Sequence, residues 1–326
     1  MHGVPLPALL VPTLAFCLSA ALIRLLLTPA VRQWFLDHPN PRSLHASPIP
    51  RVGGLGMMPA ALAGMAMAGG AWLAAALALA LMVLSLVDDW KSLSPALRLP
   101  LHLVVAGAFA WFALPQASPV GVAVLGLAIG WMTNLYNFMD GADGLAGGMA
   151  LIGFGVYALA AALGGHAPFA LVNLSIAGAA AGFLVFNFPP ARVFMGDAGS
   201  IPLGFLAAAL GLQGWSEGLW PLWFPLVTFG PFVVDASVTL ARRALRGERV
   251  WQAHRSHYYQ RIILLGWSHR RAAVAEYLLM TASGGVALLA CRNEPALRLV
   301  VLAVLLCVYL AAGLTVDLRW RRRESA

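Results

Sequence analysis

The chain is poor in charge. Only 10% of its 326 residues are Asp, Glu, Lys or Arg, and lysine occurs once, at Lys91. Ordinary soluble domains carry about 25% charged residues, so this composition excludes an ordinary water-soluble globular protein. The three cysteines have no paired spacing that would indicate a disulfide framework or a zinc site. The Walker P-loop, HExxH, CxxC and GxSxG patterns are all missing.

What the chain has instead is apolar sequence. Hydrophobic residues make up 60% of it, and the mean hydropathy is +0.80. The apolar segments are continuous rather than alternating, which favours membrane-spanning helices over a β-barrel. We predict an all-α polytopic membrane protein with one integral-membrane domain over residues 1–326 and eleven spans: 5–27, 53–69, 71–87, 97–114, 119–138, 145–164, 167–187, 201–215, 219–241, 272–290 and 296–316.

The basic residues predict the orientation. Connections after odd-numbered spans are rich in arginine, whereas those after even-numbered spans hold only Arg292, with Arg298 just inside the last span. The positive-inside rule then puts the N-terminus outside and the C-terminus in the cytoplasm, with segment 5–27 retained as the first span. The same rule explains the net charge of +8 without a nucleic-acid partner. The predicted cytoplasmic loops are 28–52, 88–96, 139–144, 188–200 and 242–271.

Acidic residues collect at the same predicted ends of the spans. Six of the thirteen lie there: Asp88, Asp89, Asp140, Asp143, Asp197 and Asp235. A carboxylate close to hydrocarbon is costly and by default marks a functional site. A cation-coupled transporter is the alternative, but it would need acids near the middle of the membrane. The one-sided cluster favours an enzyme that joins a charged cytosolic substrate to a lipid.

Four sequence blocks carry the candidate chemistry. In NLYNFMDGADGLAGG, the residues Asn134, Asn137, Asp140 and Asp143 recur every three positions. Neighbours at this spacing share one side of a helix, and their oxygens suit a hard metal ion or a polar ligand. In VFMGDAGS, a Gly-rich turn surrounds Asp197, where it suits phosphate, and Phe194 suits a stacked base. The adjacent Asp88 and Asp89 repel each other, so one of them needs a cation, a proton or a basic partner.

The remaining two blocks are basic. HRSHYYQR supplies His254, Arg255, His257 and Arg261 as donors for a pyrophosphate. The alternative for this loop is contact with lipid headgroups, which we favour for Arg242, Arg243, Arg246 and Arg249. In the Pro-rich loop DHPNPRSLHASPIPRVGG, Arg42, His45 and Arg51 are either ligands or interfacial residues.

Taken together, the blocks resemble the polyprenyl-phosphate N-acetylhexosamine-1-phosphate transferases, of the glycosyltransferase family 4 type. The resemblance covers nearly the whole chain. It implies transfer of an N-acetylated (deoxy)hexosamine-1-phosphate from a UDP-sugar to undecaprenyl phosphate, with release of UMP and with Mg²⁺ as cofactor, for which Mn²⁺ can substitute. It also implies a bacterial inner-membrane location, a site that faces the cytoplasm, and an early step of O-antigen or other surface-polysaccharide synthesis. A homodimer is compatible with it.

The resemblance also assigns roles. It implies Asp197 and Asn137 as metal ligands, and Asp88, Asp89 and Asp140 as catalytic residues. The substrate-binding residues that it implies are Asn134, Asp143, Phe194, Arg98, His254, Arg255, His257, Arg42 and His45. The His-Arg-Ser-His sequence departs from the histidine run of the MraY branch, which favours the WecA- and WbpL-like branch. Whether Asp88 deprotonates the lipid phosphate or attacks first as a nucleophile stays open.

Overall fold

Runs of Ala, Leu and Val fold into long helices, and Pro and Ser residues at their ends fix where they begin. A computed structural model describes residues 6–39, 43–44, 47–91, 93–249 and 254–324. Its helices are α1 Leu6–Leu26, α2 Pro29–Arg32, α3 Gly53–Ala68, α4 Trp72–Lys91, α5 Pro95–Ala113, α6 Pro119–Phe138, α7 Leu145–Leu163, α8 Ala167–Asn187, α9 Asp197–Ser216, α10 Phe224–Thr228, α11 Gly230–Leu245, α12 Tyr258–Leu264, α13 His269–Arg292 and α14 Pro295–Glu324. Two short antiparallel strands, β1 Leu36–Asp37 and β2 Ile49–Pro50, pair within the first loop.

The all-α class is confirmed. Seven of the described helices are long and apolar enough to cross a membrane, and a bent pair near the N-terminus, with a 74° angle, makes an eighth candidate. Every predicted span overlaps a helix, but the ninth, 219–241, begins before α10 and is interrupted at Phe229. However, α3 and α11 have only 16 residues each, and a break between Thr228 and Gly230 separates α10 from α11. The count of eleven spans and their orientation therefore stay predictions.

Helix α9 is the centre of the bundle. Nearly all its residues are buried, and it packs against α3, α4, α5, α6, α7 and α10. Its small residues permit close approach: a Cβ added to Gly204 would lie 2.8 Å from the Met132 carbonyl oxygen of α6. A polar residue at the N-terminus of α9 is thereby surrounded by the ends of its neighbours.

Helix α14 lies at the periphery. Its apolar side chains are largely exposed, including Leu299 at 69% and Leu314 at 60%. Exposed leucines along a 30-residue helix are what a lipid-facing surface requires. The bundle thus has a packed centre around α9 and an apolar exterior.

Candidate functional site

The site is built around the N-terminus of α9. Gly196 adopts a positive φ of 73° and turns the chain, so that Asp197 becomes the first residue of the helix. The segment before it is fixed by backbone pairing with the first loop. Phe194 donates its N–H to the Pro50 carbonyl at 2.9 Å, and Gly53 donates to the Phe194 carbonyl at 2.9 Å. The Pro-rich loop therefore positions Asp197 through backbone contacts.

Asn137 meets Asp197 from α6. The Asn137 side chain is hydrogen-bonded to the Asp197 carboxylate, and its Oδ1 accepts a hydrogen bond of 2.7 Å from Ser200 Oγ. Ser200 Oγ also lies 3.2 Å from the Gly196 carbonyl oxygen. The predicted pairing of Asn137 with Asp197 therefore exists as a direct contact between α6 and α9.

Arg98 connects this pair to the acidic end of α4. Its Nη1 lies 2.7 Å from Asp88 Oδ2 and 3.4 Å from Asp197 Oδ2. Asp88 is buried, and its Oδ1 accepts a further hydrogen bond from the Leu93 N–H at 2.8 Å. Asp89 is exposed and within electrostatic reach of Asp197, Arg51 and Arg98. The two adjacent aspartates thus differ: Asp88 is held by partners, and Asp89 is open to a ligand.

Asp140 follows α6 and faces the same N-terminus. Its carboxylate accepts a hydrogen bond from the Gly196 N–H. Burial in the first place, and the nearby Asp197 carboxylate in the second, raise the pKa of Asp140 well above its usual range. The ionised form of Asp140 is therefore costly unless positive charge lies close to it.

Asp143 is fixed one turn further along the same loop. Its Oδ2 accepts a hydrogen bond of 3.0 Å from the Ala191 N–H, and its Oδ1 lies 3.3 Å from His269 Nδ1. The loop itself is held by Asn187, whose Oδ1 accepts from the Gly144 N–H at 2.9 Å and whose Nδ2 donates to the Val193 carbonyl. Asn187 therefore joins the Asp140–Gly144 loop to the segment that carries Phe194.

Many of these residues line one cavity of about 370 Å³, whereas Asp88, Asp89 and Arg98 are not among its lining residues. The predicted residues that line it are Asn137, Asp140, Asp143, Phe194, Asp197 and His254. Arg51, which the sequence left as either a ligand or an interfacial residue, also lines it. The lining residues that the sequence did not single out are Asp37, Ser43, Asn187, Tyr259, Gln260 and His269. His269 is a basic residue in a predicted cytoplasmic loop, which was a usable signal, whereas Asn187 gave none beyond being an amide at the end of an apolar span.

His254 is the lining residue that comes from the basic loop. Burial and the neighbouring His257 and Arg243 lower its pKa to about 4. Its Nδ1 lies 2.8 Å from Ser256 Oγ. In the free protein at neutral pH, His254 is thus an uncharged hydrogen-bonding group rather than a cation.

Three further predicted ligands have their partners away from this cavity. Asn134 contacts His102 at 3.3 Å and donates to the Gly130 carbonyl, so its amide joins α5 to α6. His257 is buried, with Nδ1 3.2 Å from Asp235 Oδ1. Arg255 is exposed and lines a separate small cavity beside Trp320. As placed here, these three side chains do not line the cavity, and Arg42 and His45 fall outside the described residues.

Asp235, the sixth acid of the predicted cluster, has its carboxylate occupied by hydrogen bonds within the fold. Its carboxylate accepts hydrogen bonds from the Tyr258 and Tyr259 N–H groups at 2.9 and 3.0 Å, and from Thr239 Oγ1 at 3.1 Å. These bonds satisfy backbone donors at the start of α12. Asp235 therefore anchors the basic loop to α11.

The donor set fits a magnesium ion. Within the described chain, no three His, Cys, Asp or Glu side chains are grouped to hold a metal. Magnesium, however, commonly uses one or two protein oxygens and takes its other ligands from water and substrate phosphates. A half-turn of the Asn137 carboxamide brings its oxygen beside Asp197, and Ser200 Oγ then accepts from the Asn137 NH₂ and donates to Gly196. Both orientations leave these side chains hydrogen-bonded.

Comparisons with known proteins show the family. A model of the family described as "Glycosyl transferase family 4" matches residues 71–214, which include the DDWK block, the Asn137–Asp143 loop and Asp197. The basic loop and the last two helices lie outside the matched range. The match thus covers most of the residues around the N-terminus of α9.

Relatives extend the similarity over most of the chain. The "Probable undecaprenyl-phosphate N-acetylglucosaminyl 1-phosphate transferase" of Bacillus subtilis (strain 168) is 30% identical over 81% of each chain. The "Phospho-N-acetylmuramoyl-pentapeptide-transferase" of Picosynechococcus sp. is 32% identical over 82% of this chain and 83% of the relative. The "Decaprenyl-phosphate N-acetylglucosaminephosphotransferase" of Mycobacterium tuberculosis (strain ATCC 25618 / H37Rv) is 28% identical over 80% of this chain and 78% of the relative. The chain therefore belongs to glycosyl transferase family 4, the polyprenyl-phosphate sugar-1-phosphate transferases.

Proposed function

We propose that the protein transfers an N-acetylated hexosamine-1-phosphate from a UDP-sugar to undecaprenyl phosphate and releases UMP. The supporting observation is that Asp197 and Asn137 are in contact at an oxygen-rich cavity, and that Arg98 joins Asp197 to Asp88 beside it, in a member of this family. An oxygen of the lipid phosphate attacks the phosphorus attached to the sugar. The bond from that phosphorus to the bridging oxygen breaks, and UMP leaves with the bridging oxygen.

Asp197 and Asn137 would hold Mg²⁺, with Mn²⁺ as a substitute. When bound, the cation would supply positive charge to the donor diphosphate. Arg98 is held by Asp88 and contacts the Asp197 carboxylate directly. It therefore keeps Asp197 in place and adds a second positive charge beside the diphosphate. Phosphoryl transfer depends mainly on such positioning and electrostatic stabilisation. Arg51, which lines the cavity within reach of Asp89, belongs to the same group.

Asp89 is the better placed of the two aspartates to meet the acceptor. It is exposed, whereas Asp88 is buried against Arg98 and the Leu93 N–H. A phosphate monoester with a second pKa near 6 is mostly ionised at pH 7, so it needs little help from a base. We propose that Asp88 positions Arg98, and that Asp89 orients the guanidinium groups of Arg51 and Arg98, which bind the lipid phosphate.

The uridine side of the donor belongs at the other end of the cavity. Phe194 offers a ring for stacking, and the Asp143–His269 pair offers polar contacts to the uracil or ribose. His254, Tyr259 and Gln260 line the cavity from the basic loop and would contact the sugar and its phosphate. The neutral state of His254 suits a hydrogen bond to a hydroxyl or an acetamido group.

The donor sugar and the setting follow from the same proposal. The His-Arg-Ser-His sequence of the loop favours a 2-acetamido sugar over a muramyl-peptide donor. The arginine distribution favours an inner-membrane protein whose cavity opens to the cytoplasm, where UDP-sugars are present. We assign the reaction to the start of O-antigen or other surface-polysaccharide synthesis.

An Asp197→Asn variant tests the site. Removing one group that stabilises transition-state charge costs about 10²–10³-fold in rate. We expect a loss of this size in Mg²⁺-dependent UMP release from UDP-N-acetylhexosamines. The matched control is Glu217→Gln, which removes an exposed negative charge at the other end of the same helix and should retain wild-type turnover. Near-normal turnover by Asp197→Asn would refute the proposed site.

A further inference from the structure

A second cavity lies between the ends of α11, α12 and α14 and has a volume of about 440 Å³. Five arginines line it, but Asp317 is the only acid among its described lining residues. The arginines are Arg242, Arg243, Arg246, Arg261 and Arg321. Arg243 has a partner outside the cavity, Glu248, at 3.2 Å. The cavity therefore carries net positive charge.

Asp317 holds the base of the cavity together. Its two carboxylate oxygens lie 2.7 Å from Arg242 Nη1 and from Arg261 Nη1, so one acid is shared by two guanidinium groups. The Tyr258 hydroxyl adds a hydrogen bond of 3.3 Å to the same carboxylate. Two cations on one anion leave a positive charge that a further anion can neutralise.

Arg261 is also fixed by aromatic rings. Its guanidinium lies 5.3 Å from the centre of the Tyr258 ring and 5.0 Å from the centre of the Trp320 ring. Its buried Nε has no hydrogen-bond partner within the described part of the chain. Two exposed arginines, Arg246 and Arg321, form no ion pair with any residue that the structure describes. The arginines of this cavity thus offer more hydrogen-bond donors than Asp317 alone accepts.

The edge of this cavity is apolar. Leu245, a lining residue, is 88% exposed. Along α14, Leu310 and Leu314 are 57% and 60% exposed and precede the lining residues Asp317 and Arg321 by seven residues each. Residues seven apart share one face of a helix, so these leucines form an apolar path to the basic cavity. Such a combination suits a molecule that has acyl chains and an anionic head.

We propose that this cavity binds the phosphate headgroup of an anionic membrane phospholipid, at a site separate from the transfer reaction. The arginines bind the phosphate oxygens, for which guanidinium forks are suited. The acyl chains lie along the exposed leucines of α14. The basic loop separates the two sites: His254, Tyr259 and Gln260 face the transfer cavity, whereas Ser256, Tyr258 and Arg261 face the lipid cavity.

Native mass spectrometry of the purified protein, titrated with phosphatidylglycerol or phosphatidylcholine in neutral detergent, tests the proposal. The wild type should retain phosphatidylglycerol in preference to phosphatidylcholine. An Arg246→Gln/Arg321→Gln variant should bind it roughly 30-fold more weakly, from about 1 kcal/mol per basic residue at a membrane surface and 1.4 kcal/mol per tenfold in affinity. Unchanged thermal unfolding in neutral detergent would show that the variant folds.

Arg319→Gln/Arg322→Gln is the matched control. It removes two charges from the same end of α14, but these positions lie on the face opposite Asp317, Trp320 and Arg321. The control should bind phosphatidylglycerol as the wild type does, and excess inorganic phosphate should not displace the lipid. If both double variants lose the same affinity for phosphatidylglycerol, the binding depends only on general surface charge, and the proposal is overturned. Displacement by inorganic phosphate would overturn the lipid assignment, and displacement by undecaprenyl phosphate would overturn the separate site.

Discussion

Arg98 shows how a single residue joins distant parts of this chain. It lies ten residues beyond Asp88 and 99 residues before Asp197, and its guanidinium contacts both carboxylates. Two carboxylates at the ends of packed helices repel each other in a medium of low dielectric constant. A guanidinium between them offsets the repulsion. We infer that Arg98 is the reason the ends of α4 and α9 can lie together.

His254 gives the clearest prediction at the scale of a residue. Its folded-state pKa of about 4 lies below the ordinary value of 6.5, so the unfolded chain binds more protons between these pH values. Stability contributed by neutral His254 is fully present above pH 6.5 and is lost as the pH falls towards 4. We expect the wild-type Tm to fall more steeply than that of His254→Gln between pH 7.5 and 4.5. Parallel curves would contradict this prediction.

The sequence placed several candidate residues at helix ends that lie together, but it did not tell which neighbouring helix each side chain meets. Asn137 and Asp197 were predicted to act together, and they are in contact. Asn134 shares a helix side with Asn137, yet it is bonded to His102 of α5. His257 is bonded to Asp235 in the same way. Helical spacing tells which side of its own helix a residue occupies, but not which neighbouring helix lies there.

At the scale of elements, the N-terminus of α9 depends on two glycines. A Cβ at Gly54 would lie 2.4 Å from the Gly199 backbone nitrogen and 2.6 Å from the Gly199 Cα. These are backbone atoms, which cannot rotate away as a side chain does. The close approach of α3 and α9 therefore needs glycine at position 54.

A Gly54→Ala variant tests this contact. The added methyl group must push the start of α9 away from α3, which moves Asp197, and overpacking of this kind costs about 1–3 kcal/mol. We expect a lower Tm and at least about a tenfold loss of UMP release, because small misplacements of a reacting group are costly. Gly155→Ala, where an added Cβ meets nothing within 4 Å, should retain both properties. A wild-type rate in Gly54→Ala would show that the contact does not position Asp197.

Helix boundaries followed from the sequence better than the membrane path did. Pro95 and Pro119 were close to the predicted span starts and begin α5 and α6. The ninth predicted span, 219–241, is in fact two helices, because the chain breaks at Phe229 before Gly230 and Pro231. The hydropathy of this segment shows only a continuous apolar stretch. It does not register that proline removes a backbone donor and interrupts the helix.

At the scale of the whole molecule, the orientation in the membrane is open to a direct test. Ser94 and Ser118 are exposed and precede α5 and α6, at opposite ends of α5. In a background with Cys17, Cys291 and Cys307 replaced, Ser118→Cys should react with a membrane-impermeant maleimide in intact cells. Ser94→Cys, near Asp88 and Arg98, should react only after permeabilisation. The reverse pattern would place the transfer cavity outside the cell.

The most direct measurement follows the phosphorus itself. Purified protein, Mg²⁺ and undecaprenyl phosphate are incubated with a panel of UDP-N-acetylhexosamines labelled at the phosphate next to the sugar. We predict that the label enters the organic-extractable lipid in a one-to-one ratio with UMP in the aqueous phase, and that Asp197→Asn reduces both by about 10²-fold or more. Label that stays in the aqueous phase for every donor, or equal transfer by Asp197→Asn, would contradict sugar-1-phosphate transfer at this cavity.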